Sequence, residues 1–73
     1  MVNTEPTADE LFAKHDAALR AFIVNPDFDA RSALYQSHVG LEKRRRELAG
    51  AELTAFSQRY WDQVVRVYSE MRT

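Results

Sequence analysis

The chain contains no cysteine, which removes both a disulfide framework and a thiolate metal site as supports for its fold. Only two glycines and two prolines interrupt its 73 residues, and no stretch alternates apolar with polar residues as a half-buried strand would. The longest uninterrupted apolar run, Ala21 to Val24, is far too short to span a bilayer. No basic segment followed by an apolar one opens the chain, so neither export nor membrane insertion is expected, and the cytoplasm is the expected setting. There is no glycine-rich phosphate loop, no serine in a strand-to-helix elbow and no carboxylate pair set for a pocket. A chain this short also has little volume for a ligand cleft, so no catalytic role and no cofactor are expected.

A surplus of positive charge is missing as well. Ten basic against eleven acidic residues give a net charge of -1, which lacks the phosphate attraction that non-specific nucleic-acid binders use. The charges are nevertheless sorted along the chain. Residues 1–30 hold two basic groups against six acidic ones, and residues 31–73 hold eight against five. An acidic piece followed by a basic one can steer and orient a charged partner.

What the chain does have is abundant alanine, leucine, arginine and glutamate, which favours helix. Residues 1–6 are polar and aperiodic and read as a flexible tail, leaving residues 7–73 as a single helical domain. Thr7 followed by Glu10 matches a capping box, so a first helix is predicted over about 8–24. Along it Leu11, Phe12, His15, Ala18, Leu19, Phe22 and Ile23 share one side. Asn25-Pro26-Asp27 stops it, and Asp27 or Asp29 can cap a second helix over about 29–49. That helix has a thin stripe of Ala30, Leu34, Leu41 and Leu48 with Ser37 on the same line, and Gly40 can bend or break it. Gly50 stands where a left-handed residue would end it. In the third helix, about 51–71, Leu53, Phe56, Tyr60, Val64, Val67 and Met71 recur at the helical period, with Trp61, Val65 and Tyr68 widening that face. Short links between the three imply an all-α fold, a small antiparallel three-helix bundle.

Four groups of residues invite a functional reading. His15 and His38 lie on different predicted helices without a metal-ligand spacing, and His15 reads as a hydrogen-bonded imidazole at the core edge. Lys43, Arg44, Arg45 and Arg46 occupy consecutive helical positions and so point all round the axis. They form either a solvated helix end favoured by the C-terminal dipole or an electrostatic contact to an acidic protein or to phosphates. Trp61, Tyr68 and Tyr35 form another candidate surface, in which Trp61 and Tyr68 either complete the core or anchor a partner, with Arg59, Arg66 and Arg72 near enough in sequence to frame the patch. Leu34, Leu41 and Leu48 recur every seven residues, but the alternate seam of Arg31, His38 and Arg45 would bury charge in a coiled coil, so they are expected in the bundle core.

A helix, glycine turn and helix around Gly50 also suit a helix-turn-helix, with Thr54, Gln58 and Arg59 reaching base edges. The long preceding helix, the acidic first helix and the negative total charge oppose it. In size, absence of cysteine and arginine-alanine style, from ADELFAKHDAALRAF through LEKRRREL to RYWDQVVRVYSEM, the chain resembles the small phage-encoded regulators of bacterial RNA polymerase, of the kind a Xanthomonas phage makes. The resemblance implies a transcription inhibitor that binds the large polymerase subunits in the host cytoplasm, interferes with sigma factor at initiation and affects termination. It assigns no residue a role. A DNA-binding or antitoxin-like regulator and a homo-oligomeric helix bundle are the competing classes.

Overall fold

The computed structural model describes residues 5–72 and builds them into three α-helices, α1 (Ala8–Val24), α2 (Phe28–Arg45) and α3 (Gly50–Met71). No strand occurs among the described residues, and the all-α prediction holds. The part of the proposed tail formed by residues 1–4 lies outside them.

The first two helix starts have a local cause, whereas α3 starts after Ala49 without a side-chain cap. Thr7 is extended, and its hydroxyl accepts from the Glu10 backbone N–H at 3.2 Å, as an N-cap should. The Glu10 carboxylate accepts from the same hydroxyl at 3.3 Å, which differs from the reciprocal backbone bond of a full capping box. Asn25 leaves helical angles before Pro26, and Asp27 then caps α2 by accepting from the Ala30 N–H at 2.8 Å.

The second helix ends at Arg45, four residues before the predicted Ala49. A helix reaching Ala49 would leave Gly50 alone to reverse the chain, and one residue cannot set α3 antiparallel beside α2. Residues 46–49 make the reversal instead, with Glu47 and Leu48 donating back to the carbonyls of Arg44 and Arg45 at 3.0 and 3.1 Å. Gly50 does adopt the left-handed φ of +60°, but as the first residue of α3 after an extended Ala49. Gly40 does not break α2, which is continuous through it. Its missing side chain lets α1 approach: a Cβ placed there would lie 3.2 Å from Leu11 Cδ2.

Phe12, Leu41 and Phe56, one from each helix, form the core, and Ala8, Leu11, Leu48 and Tyr60 pack against it. The Phe12 and Phe56 rings meet at 5.0 Å in a tilted pair. Val67, Leu19 and Ala18 extend the buried seam toward the far end of α1 and α3. Leu34, Ser37, Leu41 and Leu48 face inward to differing degrees, as expected of bundle packing. The interhelical packing is unequal. α1 lies against both neighbours and most closely against α2, whereas α2 and α3 barely meet. The molecule is accordingly flattened, 37 × 28 × 17 Å, with an open groove between its second and third helices.

Candidate protein-binding face

The groove exists because α1 is the element that holds the bundle together, and its hold on α3 is polar as well as apolar. Gln63 is 95% buried and donates from Nε2 to the Phe12 carbonyl at 2.7 Å, while its Oε1 lies 2.7 Å from His15 Nδ1. An amide oxygen can only accept, so the hydrogen of that contact sits on His15 Nδ1. His15 is thus a fully buried structural imidazole, deeper than the core-edge position expected of it. Gln63 carried no mark in the sequence beyond lying three residues after Tyr60 and four before Val67, on the apolar side of α3. A second, exposed clasp links the far ends of α1 and α3. Arg20 bonds Asp16 at 2.6 Å and Glu70 at 2.9 Å, and Arg66 lies 3.8 Å from both acids. Those partners hold the Arg20 guanidinium above its ordinary pKa, the Asp16 hydrogen bond first.

With α1 fastened to both helices, the gap between α2 and α3 stays uncovered. Near its middle Tyr60 stands between His15 (ring centroids 5.3 Å) and His38 (5.9 Å) and meets Trp61 edge-on at 5.5 Å. On one side of this row a hollow of about 370 Å³ is floored by Leu19, Phe22, Leu34 and Val64 and rimmed by Arg31, Tyr35 and Tyr68. On the other a hollow of about 280 Å³ is bounded by Leu41, Phe56, Ser57, Trp61, Glu42 and Arg45. Burial, and then the nearby Glu42 carboxylate and Tyr68, raise the Tyr60 phenol above its ordinary pKa. Both imidazoles reach the first hollow, yet no carboxylate lines it, and no group of three metal-ligating side chains occurs among the described residues.

The aromatic residues around this groove are largely wet. Tyr35 is 68% exposed, Trp61 62% and Tyr68 45%. Of the two readings of Trp61 and Tyr68, core completion is the one the geometry removes, because both stand on the open side of α3. Val65, Val39 and Phe28 add further exposed apolar surface on α3 and α2.

The basic residues separate. Arg45 folds over the groove wall and pairs with Glu42 through two hydrogen bonds, Nε to Oε2 at 3.1 Å and a second from Nη2 to Oε1. That pairing lowers the Glu42 pKa and raises that of Arg45. Arg44 lies 3.7 Å from Glu47 and, with Lys43, borders a different hollow beside Leu11 and Gly40. Arg46 is exposed at the end of α2. The run therefore does not form one contact surface, as its spread around the helix axis requires.

Arg59 and Arg66 do not frame the aromatic patch, a correction to the sequence-based expectation. Both leave the opposite side of α3 toward α1. Arg59 pairs with Asp9 at 2.8 Å and lies 4.3 Å over the Phe12 ring, and Arg66 joins the Asp16–Glu70 clasp. The helical spacing already sets both roughly opposite Trp61 and Tyr68, and Asp9 and Asp16 on α1 with Glu70 on α3 hold them there. The residues postulated to read bases are similarly engaged within the chain: Thr54 donates to the Gly50 carbonyl, Gln58 to Asp62 and Arg59 to Asp9. Among the described helices none is long and apolar enough to cross a membrane. No protein-family model, curated protein or solved structure matches this chain, so the chemistry of the face itself is the guide to its use.

Proposed function

We propose that the chain is a non-catalytic regulator that acts by binding another protein through the open α2–α3 face. The observation that carries this reading is the exposure of Tyr35, Trp61 and Tyr68 around an apolar groove on a bundle whose own core is small. Amphipathic aromatic side chains supply large contact area at low entropic cost and dominate interface energetics when a partner desolvates them. Within this reading, the resemblance to phage-encoded polymerase regulators makes the large subunits of bacterial RNA polymerase the first partner to test. Interference with sigma factor at initiation, and a change in termination, are the expected consequences.

The DNA-binding alternative draws no support from the Thr54, Gln58 and Arg59 positions, whose side chains are bonded inside the chain. The decisive experiment is retention of purified core polymerase on the immobilised chain, with and without sigma factor, for the wild type, Trp61→Ala and Arg59→Ala. Retention lost only in Trp61→Ala, with sigma excluded by the wild type, supports the proposal. Polymerase that binds none of the three, or binds Trp61→Ala undiminished, removes it.

A further inference from the structure

We infer that the α2–α3 groove seats an acidic-flanked amphipathic helix of the partner protein, which completes the bundle as its fourth helix. This deepens the protein-binding reading and rests on it. The walls are two antiparallel helices of 18 and 22 residues, about 27 and 33 Å long at the helical rise. α1 packs against both, and they meet each other little apart from the Tyr60–His38 ring contact, so a further helix would lie along the seam on top of both walls and pack its side-chain ridges into theirs. Leu34, Val64, Tyr60 and Trp61 offer the apolar bed.

Charge selects the occupant. The carboxylate that lines the groove, Glu42, is already taken by Arg45. Arg31 on the rim and Arg72 at the end of α3 have no anion within ion-pairing distance among the described residues, and Arg46 at the end of α2 feels Glu42 only from beyond that distance. Of the acids of α1, Asp9 and Asp16 are turned to Arg20, Arg59 and Arg66 on the other side of the molecule, and Glu10 accepts from Thr7. A face with an apolar floor and unanswered cations complements a helix with leucines inward and carboxylates along its edges. A second copy of this chain suits it less well. Parallel pairing sets Arg31 against Arg31, antiparallel pairing sets Arg31 against Arg46, and both oppose like charges.

Two synthetic helical peptides of about 18 residues test the inference, identical in their leucine face and flanked by glutamate in one and lysine in the other. Each is titrated into the ¹⁵N-labelled full chain. The acidic peptide should shift the amides of Tyr35, His38 and Tyr60 and the Trp61 indole, and bind at least about tenfold tighter than its lysine twin near 50 mM salt. Raising the salt, or Arg31→Glu, should shrink that preference, and Trp61→Ala should weaken both peptides while leaving the circular dichroism unchanged. Binding of neither peptide, equal binding of both, or shifts confined to the α1–α3 side would overturn the inference. So would sedimentation showing a dimer through this face that the peptide does not dissociate, or displacement of the peptide by a mixed-sequence oligonucleotide. Polymerase retained by a chain that ignores the acidic helix sinks this inference alone. An acidic helix bound as described by a chain that retains no polymerase upholds it and sinks only the named partner.

Discussion

Replacing Gln63 by leucine keeps most of the volume of a buried side chain while deleting both hydrogen bonds that join α3 to α1. His15 Nδ1–H then loses its acceptor in a position 2% exposed, and an orphaned buried donor costs about 1–3 kcal/mol. The Phe12 carbonyl loses a second partner worth about 1 kcal/mol, and the leucine, whose stem replaces glutamine methylenes already buried, returns about 1.5 kcal/mol through its two extra apolar carbons. A net loss of about 1–2 kcal/mol is expected from a domain whose total stability is on the order of 4–11 kcal/mol, which lowers Tm by about 5–15 °C. His15→Leu should keep the fold and cost a similar amount, because it strands the Gln63 amide oxygen. The double variant removes both polar partners together and should lose no more than either single one, a coupling of about 1–2 kcal/mol. Urea unfolding followed by far-ultraviolet circular dichroism measures all four corners of this cycle. Strictly additive losses, or a neutral Gln63→Leu, would refute the claim that this amide bridge fixes α3 against α1.

Three smaller tests address the bundle and its face. Gly40→Ala should stabilise the chain by up to about 1 kcal/mol in the same unfolding assay, because helix propensity gains while Leu11, which borders open hollows, shifts its Cδ2 by a few tenths of an ångström; a loss would mean that Leu11 cannot yield. Asp27→Ala should cost about 1 kcal/mol through loss of the α2 cap, whereas Asp29→Ala, without that bond, should cost less. Tyr60 holds its proton more tightly folded than unfolded, so its contribution is complete below about pH 10 and declines as the pH rises through its raised folded value. Melting temperatures compared between pH 8 and 11 should therefore fall less steeply in Tyr60→Phe than in the wild type, and parallel curves would contradict the assignment.

Much of the architecture was readable from local chemistry. Thr7 and Asp27 mark the starts of α1 and α2, Asn25-Pro26 marks a stop, and the recurrence from Leu53 to Met71 marks α3 and its inward side. Caps and periodicity act within one or two turns, so a single sequence carries them completely. The end of α2 is not legible locally, because it depends on the reach needed to bring α3 alongside, which no residue near Ala49 encodes by itself. Gln63 is illegible for a related reason: a glutamine on a helix looks solvated until the neighbouring helix supplies a carbonyl and an imidazole at 2.7 Å.

Local residue chemistry is enough to specify three helices, their apolar sides and the order of acid before base along the chain. Packing of the bundle then set which of those sides stay uncovered, brought the acids of α1 to Arg59 and Arg66, and split the run from Lys43 to Arg46 among different surroundings. Periodicity fixes a direction around one axis. The fate of a side chain pointing that way depends on how far off the next helix lies and what charge it brings, and those are properties of the assembled bundle.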